Sequence, residues 1–447
     1  MISVVRSFIE EKRLLTLSQQ PVLVGLSGGS DSVALLYILV NLGYKCIAMH
    51  CNFHLRKQES DRDEVFSRRI AARWGVVFEK NDFDTMSFVS EHGFSIEMAA
   101  RELRYRWFEE LRQQYDAQAI AVAHHRDDNA ETILLNLIRG AGIHGLCGMK
   151  PVNGHVIRPL LCVSKAEILT FLAENNIPFT DDSSNFSDTF KRNFLRINVL
   201  PLMKELNPAV SDALIRAAEH LTDVEAVFML TVEDVRKKVV QQTDNQDTVL
   251  SIPDLLKHCL PAPKTMLYEL LKPYGFNSAV TDNIFDALNG ETGKMFYATE
   301  NNYRLLVDRN RLIISKLCEE SEDTFIIPSA TADCSALPVR LSITEMPVNE
   351  NFKIDTSLSV ATFDRDKINF PLVLRHWRCG DRFVPFGMKG SKKVSDFFTD
   401  CKLSLFDKEK TWLLCSNDKI IWILGLRIDN RFRITKSTKN AIVINNF

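Results

Sequence analysis

Two alternating patterns of hydrophobic and polar positions fill the first 200 residues. Short apolar runs at residues 21–26, 45–49 and 119–123 are typical of buried strands. Segments with apolar residues every three or four positions predict amphipathic helices, and these are residues 31–41, 59–74, 95–115 and 129–139. The alternation of strand and helix predicts an α/β fold with a parallel sheet and helices on both faces.

The pattern changes near Pro201 and Pro208 and becomes helical to about residue 272, most clearly over residues 209–230. Strand-like runs follow, at 303–307, 312–314, 325–327, 341–343, 411–415, 420–426 and 441–444. We therefore predict three domains. Residues 1–205 form the α/β domain, residues 206–365 a mainly helical middle domain with connecting strands, and residues 366–447 a small α+β domain.

Composition restricts the class of protein. The 447 residues suit two or three domains, and 45% hydrophobic with 25% charged residues is an ordinary globular balance. A net charge of −2 means that any nucleic-acid site is a local patch. Because charges at Glu10, Glu11 and Lys12 interrupt the first apolar stretch, we expect no secretory signal. No apolar run approaches membrane length, and the ten cysteines form no Cys-x-x-Cys pair. We expect a cytoplasmic protein with reduced thiols and no membrane association.

The first candidate for chemistry is a glycine-rich loop between a predicted strand and a predicted helix. It consists of Ser27, Gly28, Gly29, Ser30, Asp31 and Ser32. Glycines let backbone N–H groups approach phosphate oxygens, and the helix N-terminus adds unpaired donors. Asp31 either caps the helix or holds a magnesium ion. No Gly-Lys-Ser/Thr follows, so this is not the Walker pattern.

A second polar segment follows the strand at residues 119–123. It contains His125, Asp127, Asp128 and Glu131, which can hold magnesium or move protons. Alternatively, Asp128 and Glu131 form the two ends of a helix capping box.

Basic residues at helical spacing provide candidates for binding a substrate. Arg101 and Arg104 share one helix face, where they would either clamp phosphates or form a solvated surface. Arg192 and Arg196 are four residues apart and would either bind an RNA backbone or form a structural ion-pair network. Arg139 precedes the glycines of residues 140–145, which form either a turn approached by substrate or a simple helix end.

Residues 375–402 carry seven basic side chains against three carboxylates. Aromatic residues are interspersed, so cations can pair with phosphates while aromatic rings stack on bases. The best candidates are Arg378, Arg382, Lys392 and Lys393. The alternative is a solvated charged face.

The loop at Ser27–Ser32 resembles that of the N-type ATP pyrophosphatase (PP-loop) superfamily, which has a Rossmann-like fold. Further segments in the same order resemble the tRNA(Ile)-lysidine synthetase family. They are Glu97 with Ala100-Arg101-x-x-Arg104-Tyr105, His125-x-Asp127-Asp128-x-x-Glu131-Thr132, Arg139-Gly140-x-Gly142-x-x-Gly145-Leu146, Arg158-Pro159-Leu160-Leu161, Asp182-x-Ser184-Asn185, Arg192-Asn193-x-Leu195-Arg196, Arg378-x-Gly380-Asp381-Arg382-Phe383 and Gly390-x-Lys392-Lys393.

The resemblance implies an enzyme that joins lysine to carbon 2 of the wobble cytidine in an isoleucine tRNA with a CAU anticodon. ATP would adenylate the base, with AMP and pyrophosphate as products, and the modified tRNA would read AUA instead of AUG. On this basis we expect Ser27–Ser32 to hold the phosphates and Asp31 to hold either Mg²⁺ or the loop itself. Asp127, Asp128 and Glu131 are candidates for holding Mg²⁺, Asp127 first among them, or for recognising the cationic lysine. His125 or one of these carboxylates would remove a proton from the attacking amine, so Asp31, His125, Asp127, Asp128 and Glu131 are the catalytic candidates. Arg101, Arg104, Arg139, Arg192 and Arg196 would contact substrate, and the C-terminal basic residues would hold tRNA. The oligomeric state stays open, with a homodimer among the alternatives.

Two positions depart from the family pattern. Phe53 stands where a second histidine is common after the second strand, and Asn129 stands where glutamine is common. Three other functions remain as alternatives: a base-thiolating tRNA enzyme, which the lack of a cysteine pair disfavours; an RNA-binding protein with an ATP sensor; and an amide ligase for a small metabolite, which would leave the basic C-terminus unexplained.

Overall fold

The structure is a computed structural model that describes residues 1–55, 58–180, 191–243, 247–290, 292–299, 301–317, 324–349 and 352–447. The chain divides into two compact units, Met1–Met229 and Leu230–Phe447.

A six-stranded sheet forms the centre of the first unit. Its strands are β1 (Val22–Gly25), β2 (Cys46–Asn52), β3 (Val77–Asp82), β4 (Ala119–Ala121), β5 (Val152–Asn153) and β6 (Val156–Ile157), in the order β3-β2-β1-β4-β6-β5. The strands β3, β2, β1, β4 and β6 are all parallel to their neighbours in this order, whereas β5 pairs with β6 in the antiparallel sense. The carboxyl ends of the parallel strands therefore meet at one edge, where ligands bind in open α/β sheets.

Helices α1 to α11 surround and follow this sheet. They are α1 (Ile2–Glu11), α2 (Ser30–Asn41), α3 (Gln58–Arg73), α4 (Thr85–His92), α5 (Ile96–Gln114), α6 (Arg126–Ile138), α7 (Ile143–Leu146), α8 (Lys165–Glu174), α9 (Lys191–Phe194), α10 (Leu200–Leu206) and α11 (Val210–Val239). A π-helical turn over Leu195–Val199 joins α9 to α10.

Alternate residues of each strand pack into different cores. Val22 and Val24 join a cluster with Leu35 of α2, whereas Leu23 joins a second cluster with Trp107 and Phe108 of α5. Because successive strand residues point to opposite faces, this division means that both faces of the sheet are covered. The predicted α/β fold with helices on both faces is confirmed.

The second unit contains smaller helices and antiparallel sheets. Its helices are α12 (Ile252–His258), α13 (Pro263–Leu271), α14 (Ser278–Ala287), α15 (Val394–Asp400) and α16 (Leu405–Lys410). Its strands are β7 (Val240–Gln242), β8 (Thr248–Ser251), β9 (Met295–Tyr297), β10 (Tyr303–Asp308), β11 (Arg311–Lys316), β12 (Phe325–Ile327), β13 (Leu341–Pro347), β14 (Val360–Asp364), β15 (Leu372–His376), β16 (Arg382–Phe383), β17 (Lys392–Lys393), β18 (Trp412–Ser416), β19 (Lys419–Ile423), β20 (Arg427–Ile428) and β21 (Asn440–Asn446).

These strands form sheets in the orders β7-β8-β11-β10-β9, β12-β15-β18-β19-β20, β13-β21-β14 and β16-β17. The helical middle region and the C-terminal α+β region follow the predicted fold class. The domain limits at residues 205 and 365 stay predictions.

Candidate active site

The glycine-rich loop lies between the end of β1 and the start of α2, as the sequence predicts. Gly28 has a φ of +92°, a region that favours glycine, and an added Cβ would lie 2.9 Å from the Thr180 Oγ1 atom. The backbone N–H of Thr180 donates to the Gly28 carbonyl oxygen at 2.9 Å. Glycine is therefore required here by both conformation and space.

The loop's serines hold its shape through hydrogen bonds to one another. Ser32 is 5% exposed, and its hydroxyl donates to the Gly29 carbonyl at 2.9 Å and lies 3.1 Å from the Ser27 hydroxyl. The residue that caps α2 is Gly29, and Asp31 lies in the first turn of the helix. Helix capping by Asp31, one of the two interpretations of the sequence, is therefore wrong.

Lys165, which the sequence analysis did not single out, contacts this loop directly. Its Nζ atom donates to Ser30 Oγ at 2.7 Å and to the Asp31 carboxylate oxygens at 2.7 and 2.9 Å. Lys165 is the first residue of α8, where Ser164 and Glu167 form a capping box. That Ser-x-x-Glu pattern marks a helix start in the sequence. Nothing local indicates that the helix begins beside the glycine-rich loop.

His125 forms the N-cap of α6, which places the acidic segment at the start of this helix. The Asp128 backbone N–H donates to His125 Nδ1 at 3.4 Å, and Asp128 Oδ2 accepts the His125 backbone N–H at 3.0 Å. This reciprocal pair is a capping box. The capping box predicted between Asp128 and Glu131 is therefore wrong. The observed box lies three residues earlier, with His125 as the N-cap and Asp128 as its carboxylate partner.

Three of the predicted acidic residues lie close to the imidazole of His125, which is 3% exposed. Its Nε2 atom lies 3.9 Å from Asp31 Oδ2 and 3.5 Å from Asp128 Oδ2, and its Nδ1 atom lies 3.8 Å from Asp127 Oδ2. Asp127 also accepts the Lys165 backbone N–H at 2.7 Å. The N-termini of α2, α6 and α8 therefore converge on Asp31, His125, Asp127 and Lys165.

Asp128 and the remaining predicted carboxylate, Glu131, are paired with arginines. Both oxygens of Glu131, a residue 1% exposed, accept hydrogen bonds: from Arg192 Nε at 2.8 Å and from Arg196 Nε at 2.6 Å. Asp128 Oδ1 accepts from Arg196 Nη2 at 3.2 Å. Burial alone would raise the pKa of Asp128, but its interactions with His125 and the positive charge of Arg192 hold that pKa below its ordinary value.

The remaining predicted arginines of the first unit are Arg101, Arg104 and Arg139. Arg101 is exposed and stacks on Tyr105, with 5.0 Å between the guanidinium carbon and the ring centroid. Arg104 stacks on Phe53 at 5.4 Å. Arg139 is exposed at the end of α6, where Gly140 has a φ of +72°. That conformation fits a helix end, one of the two interpretations of the glycines.

The segment after β2 has a structural histidine and an aromatic contact. His50 is 4% exposed, and its Nδ1 atom lies 2.8 Å from the Leu26 carbonyl oxygen. Burial lowers the pKa of His50, so the ring is neutral at pH 7. Phe53, which stands where the family commonly has histidine, stacks on Phe83 at 5.2 Å. Asp182, Ser184 and Asn185 of the predicted motif lie outside the described residues.

The C-terminal basic candidates lie near the β16–β17 hairpin, which pairs Arg382 with Lys393. Arg378, Arg382 and Lys393 are exposed, and Lys392 is half-buried and paired with Asp400. Arg382 Nε donates to Ser391 Oγ at 3.1 Å. The exposed cations of this turn region form a local positive surface.

The aromatic side chains of this region divide into buried and exposed groups. Phe383, Phe397 and Phe398 belong to a hydrophobic core, and Trp377 packs against Phe398. Phe386 is 47% exposed. The predicted stacking on bases is therefore unavailable to the three buried phenylalanines.

The residues that the structure describes contain neither a cluster of metal ligands nor a helix able to span a membrane. No group of three or more His, Cys, Asp or Glu side chains in this part of the chain is arranged to hold a metal ion. No helix in the described ranges is long and apolar enough to cross a membrane.

Comparisons with known proteins cover the whole chain. Three family models match: a PP-loop domain at residues 4–203, a TilS substrate binding domain at residues 242–317, and a TilS substrate C-terminal domain at residues 372–444. A tRNA(Ile)-lysidine synthase of Parabacteroides distasonis is 52% identical over 445 residues, which cover 100% of this chain and 99% of the relative. Another from Bacteroides thetaiotaomicron is 43% identical, with 97% of each chain covered.

These matches run in the same order as the motifs of the sequence, and the identity extends from the glycine-rich loop to the C-terminal basic region. The chain belongs to the tRNA(Ile)-lysidine synthase family.

Proposed function

We propose that this chain joins lysine to carbon 2 of the wobble cytidine of a CAU-anticodon isoleucine tRNA, at the expense of ATP. The observation that carries the proposal is the 52% identity to a tRNA(Ile)-lysidine synthase along the entire chain. A cytoplasmic location and free lysine as the second substrate are part of the same proposal.

In the first step, the carbonyl oxygen at carbon 2 attacks the α-phosphorus of ATP. An oxygen–phosphorus bond forms, the bond to the β-phosphate oxygen breaks, and pyrophosphate leaves with the electron pair. The backbone N–H groups of Gly28 and Gly29 and the N-terminus of α2 favour bound phosphate oxygens. The Lys165 ammonium, 2.7 Å from Ser30 Oγ, supplies the cation that a Walker loop would carry in its own sequence.

The carboxylates of Asp31 and Asp127 fit a magnesium site. Both offer hard oxygen atoms and flank the same imidazole of His125, at 3.9 and 3.8 Å. Mg²⁺ is commonly held by one or two carboxylates together with substrate phosphates, so a larger protein cage is not required. When bound, the ion would neutralise phosphate charge.

In the second step, the ε-amine of lysine attacks carbon 2 and AMP leaves with the oxygen. The attacking amine must be neutral, so a proton has to be removed by His125 or by a nearby carboxylate. Asp128 and Glu131 are the candidates for recognising the cationic lysine. Both are paired with Arg192 and Arg196, so recognition there requires the arginines to shift.

The C-terminal region would bind tRNA away from the chemistry. Arg378, Arg382 and Lys393 are exposed and would contact phosphates, and Lys392 would do so after release from Asp400. Arg101, Arg104 and Arg139 are the candidates nearer the reacting nucleotide.

The decisive experiment combines purified protein with ATP, radiolabelled lysine and an isoleucine tRNA bearing CAU, with a methionine tRNA as the control. We expect lysine to enter the isoleucine tRNA alone, with one AMP formed per lysine. AMP release without lysine incorporation would refute lysine as the nucleophile. No AMP under any condition would refute the adenylation reaction itself.

A further inference from the structure

Among the residues that the structure describes, one buried arginine at the carboxyl edge of the sheet has no carboxylate partner. Arg158 directly follows β6 and is 7% exposed. Its Nη1 atom donates to the Lys150 carbonyl oxygen at 2.7 Å, and its Nε atom donates to His124 Nδ1 at 3.3 Å. Within the described ranges, its guanidinium forms no ion pair.

The histidine next to Arg158 does not compensate its charge. Burial lowers the pKa of His124 to about 4, so the ring is neutral at pH 7. Because Nδ1 accepts the hydrogen bond from Arg158, the ring proton of the neutral form is on Nε2. His124 therefore offers a further N–H donor beside the guanidinium.

Other positive charges surround the same imidazole. Beyond burial, the charges of Arg158, Arg192 and Arg101 also lower the pKa of His124, and Asp128 acts in the opposite direction. Asp128 is itself hydrogen-bonded to Arg196. Burial lowers the pKa of Arg158, and the charge of Arg101 lowers it further. Arg158 and His124 therefore bring positive charge and N–H donors together at one place.

An unpaired buried charge is costly, and a protein that retains one commonly compensates it with a ligand. The planar guanidinium fork suits two oxygens of a phosphate group. We propose that Arg158 and His124 form a binding site for one substrate phosphate, separate from the loop at Ser27–Ser32. Two neighbouring histidines contact the two regions: His125 lies beside Asp31 of the loop, whereas His124 accepts a hydrogen bond from Arg158.

This inference rests on the proposed function, in which two substrates could supply the phosphate group. One is the α-phosphate of ATP, which AMP retains. The other is a backbone phosphodiester of the tRNA next to the reacting nucleotide. Binding measurements distinguish these two sources.

The test uses the full chain with Arg158→Lys and Arg158→Met. Arg112→Lys and Arg112→Met are the matched controls, because Arg112 belongs to the same unit, is 19% exposed in its side chain and pairs with Glu109. AMP, adenosine and the CAU-bearing isoleucine tRNA are titrated into each protein by calorimetry, without lysine. The tRNA titration is repeated at several salt concentrations.

We expect one phosphate-bearing probe to bind at least about tenfold more weakly to both Arg158 variants. Weaker binding of AMP with unchanged binding of adenosine would identify the phosphate of the nucleotide as the ligand. Weaker binding of tRNA, with the slope of log affinity against log salt concentration reduced by about one, would identify a backbone phosphate of the tRNA as the ligand. Unchanged AMP and tRNA binding in both Arg158 variants would overturn the proposal, as would equal losses in the Arg112 variants.

Thermal unfolding separates ligand binding from a structural role. Because Arg158 has no ion-pair partner in the described residues, Arg158→Met should change the unfolding temperature by no more than about 3 °C. A large destabilisation in both Arg158→Met and Arg158→Lys, with AMP and tRNA binding retained, would make Arg158 a structural residue. A protein that binds phosphate through Arg158 but attaches no lysine would refute the proposed function and leave this site intact.

Discussion

The ammonium nitrogen of Lys165 lies 2.7 Å from Asp31 Oδ1, although 134 positions separate the two residues in the chain. The loop itself contains no lysine, and the fold supplies one from the first turn of α8. A cation at the N-terminus of α2 opposes the positive end of the helix dipole, and Asp31 offsets that repulsion. The negative charge of a bound phosphate would also offset this repulsion. Lys165 is therefore placed to exchange the Asp31 carboxylate for phosphate oxygens.

Replacing Lys165 should therefore weaken ATP binding. We expect Lys165→Met to lower the affinity for ATP and for pyrophosphate by between about tenfold and a hundredfold, because a charge-assisted hydrogen bond is lost. Lys165→Arg should retain part of the affinity. Calorimetric titration without tRNA measures both. Lys80→Met is the matched control, since Lys80 is 38% exposed and pairs with Glu64 and Asp82. Equal effects at Lys80 and Lys165 would contradict this prediction.

Replacing Asp31 should separate chemistry from tRNA binding. Asp31→Ala removes the carboxylate that faces both Lys165 and His125. We expect AMP formation to be lost while tRNA affinity stays within about twofold, because tRNA binding depends on other phosphate contacts. Filter binding and AMP release are measured on the same preparations. Asp223→Ala, at an exposed position of α11, is the control and should retain AMP formation.

Glu131 should contribute to stability through its two arginines. Glu131→Gln keeps the size of the side chain but leaves Arg192 and Arg196 without the charge they share. We expect a loss of about 1–3 kcal/mol in the free energy of unfolding, because buried charged hydrogen bonds are broken. Urea unfolding measures it. Glu109→Gln breaks the more exposed pair with Arg112 and should cost less; a smaller cost for Glu131→Gln than for this control would show that the prediction is wrong.

The C-terminal lysines should affect tRNA binding through electrostatics. We expect the double variant Lys392→Ala and Lys393→Ala to bind tRNA more weakly and to show a flatter dependence of affinity on salt. The single change at Lys393 should have the larger effect, because Lys392 is already paired with Asp400. Lys436→Ala with Lys439→Ala removes the same charge from two other exposed positions. Unchanged tRNA affinity in the first double variant would refute the assignment.

Stability should depend on pH through His124. Burial lowers its pKa to about 4 in the folded protein, below the ordinary value of 6.5, so the unfolded chain binds more protons between these values. The contribution to stability is therefore fully present above about pH 6.5 and is lost as pH falls toward 4. We expect His124→Gln to show a shallower fall in unfolding temperature across this range. His220→Gln, at an exposed position, should follow the original protein, and identical curves for all three proteins would refute the prediction.

The helices and strands of the first unit could be predicted because their signals are local. The loop between β1 and α2, and the strand before His125, lie where the sequence places them. Strand β3 (Val77–Asp82) was missed, since its residues Val-Phe-Glu-Lys-Asn-Asp show neither a continuous apolar run nor a clean alternation. This strand lies at the edge of the sheet, where a partly exposed position needs less apolar character.

The α/β fold, the glycine-rich loop and the acidic segment could be predicted from the amino-acid order alone, because periodicity and turn chemistry depend on neighbouring residues. Which charged side chains meet depends on the folded chain. Lys165 reaches Asp31, Arg192 and Arg196 reach Glu131, and Arg158 is buried beside His124. These contacts join distant parts of the chain because parallel strands bring their carboxyl ends, and the helices that follow them, to one edge of the sheet.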